Sequence, residues 1–336
     1  MTTHQDQDAL EVEDLVREYV VREKAGRFRR RRRVVRAVDG LSLRVRRGES
    51  VGLIGANGAG KSTTVKLLTG ILVPTSGTVR TCGLDPVTHR RELARRIGVV
   101  FGQRSQLWWD LPLHESFRLL GAIHHLPASA WRARLADLDE RLGLSEFLST
   151  PVRQLSLGQR MRGEVAAALL HSPGLLLLDE PTIGLDVLSS ERLRRFLRAE
   201  RAERGTTLLL TTHDMGDVQR LCDRVLVVDH GRAAYDGDLP GLVRRVGARR
   251  VLVVDQREPV PAPQVAGAEL LGVSEGGLRL RYAFSAEETT AAEVLAQVSR
   301  RADVGDLSVE EPDIADVLRT LYATSGDRSG SGRSEA

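Results

Sequence analysis

Short, largely apolar runs separated by longer amphipathic stretches set the architecture of this chain. Residues 50–54, 97–101, 175–178 and 206–210 are each about one strand long, and their apolar positions run on without alternating. Runs of that length and continuity predict parallel strands buried on both faces. Helical patterns lie between or after them, at 65–72, 161–170 and 189–201, which makes the main body an α/β fold. Residues 10–21 and 34–45 alternate loosely and predict a strand pair, the first ending near Tyr19. Residues 46–49 form a turn, 78–82 another short strand, and 224–229 with 232–235 a closing hairpin around His230-Gly231. A mostly helical insert (114–124, 128–141, 145–148) interrupts the α/β pattern. The expected organisation is a polar tail at 1–9, an α/β domain at 10–240 with a helical subdomain at about 105–172, and a small α+β accessory domain at 241–324. In that accessory domain strands near 251–255, 278–282 and 307–310 and helices near 291–301 and 312–322 suggest a ferredoxin-like unit. Residues 325–336, rich in Ser, Gly and Arg, are expected to be disordered.

Composition narrows the class. A chain of 336 residues is long for one core and favours two domains. At 41% hydrophobic and 28% charged it is ordinary globular material. No apolar run approaches the ~18 residues that span a bilayer, and the polar start lacks an apolar signal core, so a cytosolic protein is expected. Cys82 and Cys222 are too few and too far apart for a disulfide framework and read as buried free thiols. The net charge is +4, but residues 22–36 carry nine positive side chains and one negative, a local +8, so the rest of the chain sums to −4. The simplest reading of Arg29, Arg30, Arg31, Arg32 and Arg33 is a solvated loop between two strands. The functional reading is attraction to anionic lipid head groups. RNA lacks interleaved aromatics beyond Phe28, and no broad basic face argues for duplex DNA, so no specific nucleic acid is expected.

The chemistry starts at Gly55-Ala56-Asn57-Gly58-Ala59-Gly60-Lys61-Ser62-Thr63, placed between a predicted strand and a predicted helix. That context is what a phosphate-binding loop requires. Glycines let the backbone approach a polyphosphate, while successive N–H groups and the helix N-terminus face the anion. Lys61 reaches the β- and γ-phosphates, and the Ser62 hydroxyl is placed for Mg²⁺. Gln103, just past the strand at 97–101, could turn its carbonyl oxygen to Mg²⁺ or to attacking water, although alone it is a weak signal. Ser156 with Gln159 three residues on reads as a capping box, or alternatively, with Gly158, as a second anion site at a helix start. Asp179 and Glu180 end the leucine strand, where two carboxylates would be costly in a merely structural element. With a phosphate loop upstream, Asp179 is assigned to Mg²⁺ and Glu180 to polarising the attacking water. His213 ends the strand at 206–210 and shares that edge. Trp108 and Trp109 read either as one core and one half-buried ring or as an aromatic anchor for a partner. His124 and His125 read as surface residues rather than metal ligands.

Taken in order, the glycine loop, Gln103, Leu-Ser-Leu-Gly-Gln, Leu₄-Asp-Glu, Gly-Leu-Asp and His213 closely resemble the ATP-binding subunit of ATP-binding-cassette (ABC) transporters, a P-loop NTPase fold, over about residues 10–240. The resemblance implies that Tyr19 stacks on adenine and that residues 55–63 are the Walker A loop. It makes Gln103 the Q-loop residue, residues 156–159 the signature, Asp179 and Glu180 the Walker B pair, Asp186 the D-loop aspartate and His213 the switch histidine. Leu157 departs from the usual Gly. The stretch from Phe101 to Pro112 resembles the subgroup serving type-2 exporters, which implies a separate ABC-2 membrane permease docked near Trp108-Trp109. It further implies ATP and Mg²⁺ as ligands and a dimer, with itself or a similar subunit, in which Ser156, Gly158, Gln159 and Asp186 complete the partner's site. The setting implied is the cytoplasmic face of the membrane. The competing class is a soluble ABC-type ATPase. Only 92 residues separate Thr63 from Ser156, too few for the coiled coil of a chromosomal ATPase, and a ribosomal one would normally carry two cassettes. A non-enzymatic regulator is opposed by Glu180 and His213.

Overall fold

The computed structural model describes residues 8–24, 30–102, 105–212, 214–285 and 287–310, with 312, 317, 318 and 321 beyond them. By its internal contacts the chain divides into two compact units, Met1–Asp238 and Leu239–Ala336.

The first unit is built on a six-stranded sheet of β5 (Ile97–Phe101), β6 (Leu175–Asp179), β7 (Thr207–Thr211), β3 (Ser50–Gly55), β8 (Arg224–Asp229) and β9 (Arg232–Gly237), in that order. All neighbours are parallel except β9, which returns antiparallel on the edge. The leucine run explains the layering. Side chains of a strand alternate between faces, so Leu176 and Leu178 enter one core and Leu175 and Leu177 the other. All four are fully buried, each worth roughly 1.5–3 kcal/mol over exposure. On the Leu176 side lie α5 (Leu157–Leu169), α6 (Val187–Arg204) and the insert helices α3 (Leu113–Ile123) and α4 (Ala128–Leu142), which contribute Val165, Leu193, Phe117 and Leu138. On the Leu175 side lie α1 (Lys61–Leu68) and a three-stranded antiparallel sheet ordered β2 (Arg30–Arg46), β1 (Asp8–Lys24), β4 (Ser76–Thr81).

Three expectations are corrected here. The arginine run is not a loop from its start: Arg30, Arg31, Arg32 and Arg33 lie in β2, paired through Lys24↔Arg30 and Arg22↔Arg32. Pairing is a backbone property, and β2 is exposed at 32–36, so charge there is tolerated. Arg29 lies outside the described residues. His124 is half-buried, its ring stacked on His171 at 4.0 Å, because α3 ends against the α5–β6 turn, while His125 is exposed. α5 starts at Leu157, four residues before the expected 161, directly after its Ser156 cap. Among the described residues of this unit two helices have no counterpart in the sequence reading, α2 (Arg90–Leu93) and α7 (Met215–Leu221).

The second unit opens with α8 (Leu239–Arg245) and forms an antiparallel sheet ordered β11 (Ala268–Ser274), β12 (Arg279–Phe284), β10 (Arg250–Gln256), β13 (Val304–Glu310). Helix α9 (Ala291–Val298) packs Val294 and Val298 on Leu252, Val254, Leu280 and Tyr282. The strand order is that of a ferredoxin-like sheet, but the proline-bearing stretch 257–267 takes the place of the first crossover helix. The expected helix at 312–322 lies mostly outside the described residues.

Candidate nucleotide site

Parallel pairing brings the carboxyl ends of β3, β5, β6 and β7 to one edge, where Phe101 pairs with Asp179 and Asp179 with Thr211. That edge is where open α/β sheets bind ligands. The loop 55–60 leaves β3 there and enters α1. A Cβ at Gly60 (φ 109) would sit 2.3 Å from the Ala37 carbonyl oxygen, and one at Gly55 would sit 2.4 Å from that of Val228. Only glycine fits these approaches. Ala56, Asn57 and Gly58 are exposed, Ala59 is buried with its carbonyl accepting from the Gly231 N–H at 3.0 Å, and Thr63 is half-buried on α1.

Lys61 is buried, its Nζ donating to the carbonyl oxygens of Gly55 (2.7 Å) and Ala56 (3.2 Å). Burial holds its ammonium below the usual lysine range, and the Glu180 and Asp179 carboxylates pull it part of the way back. Ser62 Oγ donates to Asp179 Oδ1 at 3.2 Å, and Thr211 Oγ1 donates to the same oxygen at 2.5 Å. Glu180 has φ 54, and its N–H donates to the Thr211 carbonyl at 3.0 Å. A left-handed backbone at a non-glycine residue is strained by about 1–3 kcal/mol. Among the described residues no three His, Cys, Asp or Glu side chains gather as a transition-metal site. The donors that do meet, a hydroxyl and a carboxylate, are hard oxygens and fit Mg²⁺, which fills its remaining positions with phosphate and water.

A second patch forms at the start of α5. Ser156 Oγ accepts from the Gln159 N–H at 3.2 Å, and Gln159 Oε1 accepts from the Ser156 N–H at 2.9 Å, so the capping box is present. Gly158 is buried, and a Cβ there would meet Ser189 Oγ at 2.7 Å. Asp186 caps α6 by accepting from Ser189 N (2.9 Å) and Ser189 Oγ (2.6 Å), which holds its carboxyl below the usual range. Leu157, in place of glycine, lies half-exposed toward Gly184 (φ 71), whose Cβ, if it had one, would be 2.9 Å from Leu157 Cδ2. Residues 156–159 are thus assembled with 184–189.

Tyr19 lies on β1 opposite Val35, with the Arg17 guanidinium 4.8 Å from its ring centroid and Arg17 itself donating to the Val73 carbonyl. Trp108 is half-buried against the α3–α5 core, while Trp109 is 50% exposed with Arg160 over its ring. Gln103 and His213 lie outside the described residues, but their neighbours do not. A Cβ at Gly102 would meet the Asp179 carbonyl at 2.9 Å. After 103, Ser105 Oγ and the Gln106 N–H both donate to the Glu164 carboxylate of α5; burial pushes that carboxyl up and the two donors pull it back. On either side of 213, Thr212 Oγ1 and Arg194 hold Asp217 and Asp214. Glu164, Arg194, Asp217 and Thr211 escaped the sequence reading. Their one signal was charge or hydroxyl inside otherwise apolar helix faces and strands.

The family of ABC transporters matches residues 38–183. The ABC transporter ATP-binding protein NatA of Bacillus subtilis is 37% identical over 64% of this chain and 87% of its own. The daunorubicin resistance ATP-binding protein DrrA3 of Streptomyces coeruleorubidus is 36% identical over 87% of this chain and 92% of its own. A dimeric, post-hydrolysis ATP-binding cassette bound to ADP and Pi superposes with a TM-score of 0.59 at 26% identity, covering 68% of this chain and 98% of that one. With the strand-edge geometry described above, these likenesses show that the chain belongs to the ATP-binding subunits of ABC transporters.

Proposed function

We propose that this subunit hydrolyses ATP to drive export through a separate ABC-2 type permease. It would work on the cytoplasmic face of the membrane, as a homodimer or paired with a similar subunit. Support comes from the relatives, two of which are named for Nod factor export and daunorubicin resistance. The observation that carries the chemistry is the meeting of Ser62, Thr211 and Asp179 beside Glu180.

Nucleotide binding would draw the Lys61 ammonium from the carbonyls of Gly55 and Ala56 to the β- and γ-phosphates, exchanging two neutral acceptors for anionic ones. Tyr19 would present one ring face to adenine, with the other held by Arg17. Ser62 and Asp179, with Gln103, would hold Mg²⁺, which supplies charge neutralisation at the β/γ-phosphate oxygens. Glu180 would orient and polarise the attacking water, and His213 would contact the γ-phosphate from the end of β7. The patch of Ser156, Gly158, Gln159 and Asp186 would complete the site of the facing subunit. Ser156 accepts a hydrogen bond in its capping box, so its own hydroxyl proton is available to a phosphate. Closure on ATP and reopening after hydrolysis would then work the permease by differential binding.

The test is Glu180→Gln. The variant should hydrolyse ATP at least about a hundredfold more slowly and accumulate an ATP-bound dimer on gel filtration. A monomer at every ATP concentration would falsify the clamp. Affinity purification from membranes should bring down a multi-span protein. A chain that hydrolyses ATP with no membrane partner would retain the ATPase and remove the transport role.

A further inference from the structure

Residues 163–169 of α5 are all buried, and Glu164 is the one charged side chain among them. A carboxylate in such a place is costly unless hydrogen bonds satisfy it, and the mechanism outlined above gives it no task. Its oxygens are taken up by the connection that leaves β5. Oε1 accepts from Ser105 Oγ, and Oε2 accepts from the Gln106 N–H at 3.2 Å. The Gln106 side chain returns the tie, its Nε2 donating to the Glu164 carbonyl at 3.0 Å. Ser105 Oγ in turn accepts from the Leu107 N–H at 3.1 Å, and Ser116 Oγ of α3 accepts from the Trp108 N–H at 3.1 Å. The connection is therefore held from 105 to 108. Its other end lies on the nucleotide edge, where Phe101 pairs with Asp179 and a Cβ at Gly102 would stand 2.9 Å from the Asp179 carbonyl oxygen. α5, for its part, begins at the Ser156 cap, and Glu164 lies eight residues along it, about two turns from the second patch.

We infer that Glu164 is a positioning residue for ATP hydrolysis, clamping the connection that leaves β5 beside Asp179 to the helix that begins at Ser156. This rests on the reading above that both patches take part in hydrolysis. Gln103, which that reading gives to Mg²⁺, falls in sequence between the two fixed points, Gly102 and Ser105. Glu164 is buried with both oxygens engaged, so it acts through the connection and not on the reacting atoms. Stability alone does not call for a carboxylate here, because an apolar side chain of similar size would fill the same space without the cost of burying a charge.

The experiment is steady-state ATP hydrolysis by the full chain, with thermal unfolding read on the same preparations. Glu164→Gln keeps an acceptor for the Gln106 N–H and an amide that can donate to Ser105 Oγ, so it should retain kcat within about threefold. Glu164→Leu fills the space without holding either group. Its kcat should fall about tenfold or more while the KM for ATP stays within about twofold, because the phosphate loop is untouched. Ser105→Ala alone should lower kcat about threefold, and added to Glu164→Leu it should cost nothing further, since both remove one link. A Glu164→Leu variant as active as the wild type, a rise in KM in place of the fall in kcat, a Glu164→Gln variant as impaired as Glu164→Leu, or additive losses in the double variant would each overturn the clamp. Should Glu164→Leu not fold, Ser105→Ala decides at unchanged Tm: a lowered kcat supports the clamp and a wild-type kcat overturns it. A wild type without ATPase activity would strike the reading of the subunit along with the clamp. An active wild type beside an equally active Glu164→Leu strikes the clamp alone.

Discussion

Asp217 has no exposed surface, yet it accepts from Arg194 Nε at 2.6 Å, from Thr212 Oγ1 at 3.3 Å and from Thr182 Oγ1. Arg194 also holds Asp214 at 2.9 Å. One buried carboxylate therefore ties the loop after Glu180 to the residues on both sides of His213. Asp217→Asn keeps an acceptor for the threonines but loses the ion pair, and kcat should fall roughly ten- to hundredfold with the KM for ATP unchanged. An equal loss in both constants, or none, would show that the network does not position the reacting groups. His171 supplies a different residue-scale signature. Burial first, and then the neighbouring His124, lower its pKa from 6.5 to about 4, while its Nε2 bonds the Ile97 carbonyl. Between those values the unfolded chain binds the proton and the folded chain does not. The associated stability is fully present above pH 6.5 and is lost as pH falls toward 4, by roughly 3 kcal/mol. His171→Gln should flatten the fall of Tm over that window, and an unchanged slope would assign the acid sensitivity elsewhere.

Among the elements, the parallel strands β3, β5, β6 and β7 were legible because burial within the layers leaves an unbroken apolar run, and β5 and β8 span the residues expected of them. α7 was not legible. It is seven residues long, and the Asp217 it buries looks like a surface residue until Arg194 of α6 is brought beside it. β11 was missed for the opposite reason: it is an exposed edge strand with a central glycine, so it has no burial pattern to read. The insert is fastened to the core by Arg134 of α4, which reaches Glu200 of α6, both of them buried. Arg134→Ala would leave Glu200 short of its partner in the interior, at a cost of about 3–5 kcal/mol, or on the order of 10 °C in the Tm of the larger unit. Calorimetry showing a shift under a couple of degrees would mean that Arg204, 3.6 Å from Glu200, takes over the pairing.

For the whole molecule, the proposed dimer makes each site a product of two chains. Lys61→Ala disables the phosphate loop and leaves the signature patch; Ser156→Arg does the converse. Each variant alone should be inactive, and mixing them should restore a fraction of the ATPase activity, because the mixed dimer contains one intact pairing. No recovery on mixing, with dimers present, would place both halves of the site within a single chain.

The sequence by itself determined the fold class, the glycine loop between β3 and α1, the place of the Asp179–Glu180 pair at the end of a buried strand and the capping box at Ser156, because each rests on local chemistry: strand-length apolar runs, glycines where a Cβ would collide, and a cap three residues from its partner. Only the tertiary structure decided how these pieces meet. It placed Thr211 on Asp179, because parallel strands far apart in sequence end at one edge, and by packing helices on that sheet it set Glu164 of α5 under the segment after Gln103 and Gly158 of α5 on Ser189 of α6. It also carried the β1–β2 pairing into the arginine run, since backbone hydrogen bonds propagate a ladder whatever the charge of solvated side chains.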